Sequence, residues 1–68
     1  MTKQAQPLGA MIRGLRDMAG LTLKEVATGA DTSVSYLSKV ETGVFVPSKG
    51  YVARVVAYIS SSMLAEAA

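Results

Sequence analysis

Apolar positions in this chain recur at helical rather than alternating spacing, so strands are poorly supported. Leu8, Met11, Ile12, Leu15 and Met18 step by three and four, which predicts one buried face on a first helix over 8–19. Arg13, Arg16 and Asp17 fall largely elsewhere. Gly14 sits inside this helix at a cost of about 1 kcal/mol relative to Ala. Gly20 supplies a stop, because it reaches left-handed torsions cheaply. Thr22-Leu23-Lys24-Glu25 then reads as a capping box, with Leu21 and Val26 as a hydrophobic staple. It opens a short second helix over 23–29 that turns Val26, Ala27 and Ala30 inward. Asp31-Thr32-Ser33 is a turn. Ser33 caps a third helix over 34–42, with Leu37 and Val40 inside and Gly43 as its end. Pro47 and Ser48 introduce a fourth helix over 49–59, with Val52, Val55, Val56 and Ile59 as its core stripe. Ser60 to Ser62 are expected to break it, and 63–68 to add at most a last short turn. Residues 1–7 are expected to form a flexible arm ending at Pro7.

The predicted fold class is therefore all-α, a compact domain of four to five helices over 8–60 with a short C-terminal segment at 61–68. At 68 residues there is room for one domain. Such a chain buries roughly 60% of its unfolded surface, so self-association would support its stability. The absence of Cys removes disulfides and thiolate ligands, and the absence of His removes the commonest general base and metal ligand. Five acidic residues without a glycine-rich phosphate loop form no catalytic constellation, so an enzyme is not expected, nor a cofactor or small-molecule ligand. No secretory signal or bilayer-length apolar run is visible, so a cytoplasmic location is expected. A net charge of +2 points to nucleic acid only weakly.

Two short helices joined by a tight turn, after a longer first helix, form the arrangement of a helix-turn-helix. Helical bundles share such spacings, and the residues are more specific. Gly20-Leu21-Thr22-Leu23-Lys24-Glu25-Val26-Ala27, then Thr32-Ser33-Val34-Ser35-Tyr36-Leu37-Ser38-Lys39-Val40-Glu41-Thr42-Gly43, then Pro47-Ser48, resembles the lambda repressor/Cro-type (XRE-like) helix-turn-helix family. Leu8 to Arg16 is similar to that family's first helix, and the resemblance covers about 8–60. It implies a sequence-specific regulator of transcription that binds double-stranded DNA, usually as a dimer on a near-palindromic operator.

The resemblance implies that Val34, Ser35 and Lys39, with Ser38 on the flank, face base edges. Lys39 can donate to guanine O6 and N7, Ser35 can donate or accept, and Val34 offers only an apolar contact. The family often carries a long polar residue at the Val34 slot, so weight shifts to Lys39. Phosphate contacts are expected from Thr22, Leu23, Tyr36, Thr42 and Lys49. Leu23 stands where the family commonly has Gln, so only its main-chain amide is available. Lys3 and Gln4 are candidates for arm contacts. Arg16 and Glu41 are implied to pair structurally, locking the third helix to the first. The apolar loop Val44-Phe45-Val46 lacks the family's frequent basic residues. Phe45 either folds into the core or meets a partner subunit, and with Tyr51, Tyr58, Met63 and Leu64 it makes up the expected homodimer surface. The length suits a Cro-like phage or mobile-element repressor. The rival readings are an antitoxin or a protein-interaction helix-turn-helix module.

Overall fold

Four helices account for the fold of the computed structural model, which describes residues 5–67: α1 (Ala5–Met18), α2 (Leu23–Gly29), α3 (Val34–Glu41) and α4 (Lys49–Ala67). No strand occurs among the described residues. Local chemistry places the middle two. Thr22 accepts the Glu25 amide at 3.1 Å, and the Glu25 carboxylate accepts the Thr22 amide at 2.8 Å, which completes the capping box of α2. Ser33 accepts the Tyr36 amide at 3.0 Å and caps α3. Ser48 does the same for α4 by accepting the Tyr51 amide. Asp31 and Gly43, both at positive φ, turn the chain between these helices.

The helix ends depart from expectation in two places. Among the described residues α1 runs from Ala5, so the expected arm does not extend to Pro7, which lies in the first described turn of that helix. Its missing N–H is one of the groups left unpaired there in any case. Lys3 and Gln4 lie outside the described residues. Helix α4 runs unbroken through Ser60, Ser61 and Ser62, so among the described residues the helices number four rather than five. Serine is a weak helix former and not a breaker. Met63 packs against the core and supports the continuation.

Ile12, Val26, Ala27, Ala30, Leu37, Val40, Tyr51, Val55 and Ile59 form one core contributed by all four helices. The inner stripe of α1 is not the one hydropathy suggests. Gly9 and Ile12 are buried and Arg16 lies largely inside, at i, i+3 and i+7. Leu15 is half-buried, and Leu8, Met11 and Met18 stay exposed. Gly9 explains the rotation. A Cβ at this position would overlap the Val40 carbonyl oxygen and stand 3.0 Å from that of Glu41, so α1 crosses the end of α3 at backbone contact. The stripe of α4 is rotated likewise, running Tyr51, Val55, Ile59, with Val52 and Val56 only half-buried.

Candidate nucleic-acid interface

Burial of Leu37 and Val40 decides which side of α3 faces solvent. Val34, Ser35 and Lys39 emerge on the opposite side, with Ser38 half-buried beside them. Val34 is 43% exposed.

The C-terminal end of this short helix is held by a single guanidinium. Arg16 donates from Nε to Glu41 Oε2 at 2.8 Å and from Nη2 to Glu41 Oε1 at 2.9 Å, a bidentate pair. Its Nη1 donates to the Leu21 carbonyl at 3.0 Å. One side chain thus ties α1, the segment before α2 and the last turn of α3 together. The hydrogen bond from Arg16 to Glu41 raises the Arg16 pKa above the ordinary arginine value, against the lowering effect of burial. The charge is permanent at any working pH.

The expected phosphate contacts are less uniform. Thr22 is exposed but its hydroxyl serves as cap. Leu23 is half-buried, its side chain packed against the core. Thr42 is the C-cap of α3, exposed, with its hydroxyl donating to the Lys39 carbonyl at 3.3 Å. Lys49 is exposed at the first position of α4. Tyr36 is half-buried, its ring stacked on Phe45 at 5.2 Å and meeting the edge of Tyr51 at 5.0 Å.

A family sequence model described as "Helix-turn-helix domain" matches residues 7–61. The chain belongs to this helix-turn-helix family. The family sits in the XRE/lambda-repressor-like clan, which is the resemblance carried by the motif residues. No curated protein and no solved structure matches the chain.

Within this helix-turn-helix domain, the residues expected to form a dimer surface differ widely in exposure. Tyr51 is a core residue at 7% exposure, and its hydroxyl is hydrogen-bonded to that of Thr32 at 3.1 Å. It is unavailable to a partner subunit, because the rotated stripe of α4 turns it inward. Tyr58 is half-buried against Gly29, where it fastens α4 to α2 and borders a shallow groove with Lys24, Glu25 and Thr28. Met63 is partly covered by the core. Leu64 is 71% exposed and Phe45 39%, so these two retain open surface.

Two positioning residues of the domain escape sequence reasoning. Arg54 donates from Nε to the Ala30 carbonyl at 2.8 Å, capping the end of α2, and its guanidinium lies 5.4 Å from the Tyr51 ring centroid. Its main partner is a main-chain oxygen, which no residue type encodes. Gly9 is the other, and a small residue between Leu8 and Ala10 is its only signal. Among the described residues no helix is long and apolar enough to cross a membrane, and no cluster of acidic side chains is placed to hold a metal ion.

Proposed function

We propose that this chain is a sequence-specific regulator of transcription that binds double-stranded DNA, lays α3 in the major groove and occupies a near-palindromic operator as a homodimer. The most specific form of the reading is a Cro-like repressor of a phage or mobile element acting in the cytoplasm. One observation carries it. A two-turn helix has its apolar side fully buried, its ends fixed by Ser33 and Arg16, and its free side occupied by Val34, Ser35 and Lys39. Lys39 supplies donors for guanine O6 and N7, Ser35 a weakly discriminating hydroxyl, and Val34 an apolar surface for a thymine methyl. Ser38 contributes from the flank. Thr22, Tyr36, Thr42, Lys49 and the Leu23 amide take the phosphates, which set register without reading sequence. In a homodimer the two copies of α3 would stand about 34 Å apart, one turn of the duplex. Of the residues expected at that contact, Leu64 keeps the most open surface.

The test is a mobility-shift titration over a salt series, using the DNA that flanks the gene and duplexes selected from a random pool. Specific binding should weaken linearly on a log–log salt plot. Lys39→Met should lose about 1–3 kcal/mol of discrimination at one base pair, with its melting temperature lowered by only a few degrees. If the variant changed at both Ser35 and Lys39 keeps full affinity for every duplex, the reading is wrong. Binding without sequence preference points to an architectural role, and no binding points to a protein partner.

A further inference from the structure

We propose that Phe45 is a positioning residue for Lys39, the last link of an aromatic relay that holds the Lys39 ammonium over the exposed side of α3; this rests on Lys39 being a base-contacting residue. The relay starts in the core. The Tyr51 hydroxyl is fixed by Thr32 at 3.1 Å, and the Tyr51 ring is almost wholly buried. Tyr36 meets Tyr51 edge-on at 5.0 Å and stacks on Phe45 at 5.2 Å with 29° between the planes. The Lys39 ammonium lies 5.6 Å from the Phe45 ring centroid, within the range of a cation–π contact.

The backbone supports the same arrangement independently. The Val44 amide donates to the Lys39 carbonyl at 2.8 Å and the Phe45 amide to the same oxygen at 3.2 Å. The loop carrying the ring is thus pinned to the residue whose ammonium the ring attracts. This gives a purpose to an apolar loop in which Phe45 would otherwise be a half-exposed aromatic. A lysine reaches a base edge on a flexible four-carbon stem, and confining that stem costs entropy on binding. A ring that already restricts the ammonium removes part of that cost before DNA arrives. An ammonium has three N–H donors, so one side can face the ring while others stay available to an acceptor.

The experiment is a double-mutant cycle on a duplex selected by the wild-type protein. The readout is the affinity ratio between that duplex and a variant changed at the base pair where Lys39→Met loses preference. Phe45→Leu is expected to lower the ratio about two- to five-fold, the range a surface cation–π contact supports. Phe45→Tyr, which keeps the ring, is expected to restore it. On the Lys39→Met background, Phe45→Leu should have no further effect on the ratio. Phe45→Met, run in parallel, covers Tyr36 without a ring and should match Phe45→Leu, with folding checked by circular dichroism. An unchanged ratio in both ring-less variants, with Lys39→Met still defective, overturns the relay and leaves the base-contact reading intact. A loss that persists in full on the Lys39→Met background assigns Phe45 to self-association or its own DNA contact, and also overturns it. If Lys39→Met itself loses no preference at any base pair, the base-contact reading falls and the relay with it.

Discussion

Changing Glu41 to Ala removes the acceptor of two hydrogen bonds, at 2.8 and 2.9 Å, from a guanidinium side chain only 12% exposed. Hydrogen bonds to charged groups contribute about 1.5–3 kcal/mol each, and breaking a buried ion pair from one side costs about 3–5 kcal/mol. Arg16 keeps the Leu21 carbonyl, and Asp17 Oδ1 lies 3.7 Å from its Nη1. These residual contacts place the loss at the low end, about 3 kcal/mol. A domain of this length has roughly 3–10 kcal/mol of stability in total, so the loss removes about 30% of it or more. At 4–8 °C per kcal/mol, the melting midpoint should fall by roughly 12–24 °C. Arg16→Ala should cost more, because it leaves a carboxylate side chain 5% exposed after both its oxygens lose their donor. Arg16→Met combined with Glu41→Leu removes both charges and should recover most of the loss. The folded-state pKa of Arg16 is raised, so its stabilising effect is present below the ordinary arginine range and is lost only above it. Through this group, stability should stay constant from neutral to moderately alkaline pH. Thermal and urea unfolding followed by circular dichroism gives the measurement. If Glu41→Ala melts within about 4 °C of wild type while its DNA sequence preference changes, Glu41 is a recognition residue and the structural argument fails.

Gly9→Ala should lower stability by about 1–3 kcal/mol, because the obstructing atoms are main-chain oxygens of α3 that cannot turn aside. A lower urea midpoint at unchanged slope would show it, and an unchanged midpoint would mean α1 does not cross at backbone contact. Asp31→Gly should raise stability by roughly 0.5–1 kcal/mol, since Asp31 sits at φ 59°. Asp31→Val should lower it, and a melting scan separates the two. Thr22→Ala should cost about 1 kcal/mol through the lost cap, with the sequence preference of α3 unchanged in a selection experiment.

Helices α2 and α3 were legible to the residue at their starts because their signals are local: a hydroxyl at the cap and, for α2, a carboxylate three residues on. What could not be read depends on partners distant in sequence or on groups without a distinctive side chain. Gly9 contributes nothing to a hydropathy pattern, yet its missing Cβ sets the crossing of α1 on α3. Tyr51 sorts with Tyr58 by its seven-residue spacing, but the stripe of α4 is rotated so that Tyr51 enters the core and meets Thr32, nineteen positions earlier. The contact from Arg54 to the Ala30 carbonyl is invisible for the same reason. The pairing of Arg16 with Glu41 spans 25 positions and was accessible only through the family resemblance. In the candidate site, the exposed stripe of α3 follows from its periodicity. The Phe45 relay does not, because it needs the loop to fold back onto Lys39.

A helix of eight residues is too short to hold its shape alone in water. The direction in which Ser35 and Lys39 point is therefore a property of the groups behind them: Leu37, Val40, the Ser33 cap and the Arg16–Glu41 clamp. It follows that variants of α3 and its supports should fall into two classes. Changes on the buried side lower the melting temperature and weaken all duplexes together, because the whole helix loosens. Changes at Val34, Ser35 or Lys39 should shift melting by only a few degrees and alter which duplex is preferred. A plot of melting temperature against sequence preference for one set of such variants should show two separate groups. A continuous trend would mean that recognition and folding draw on the same contacts, and that α3 is not a rigid reading head carried by a scaffold.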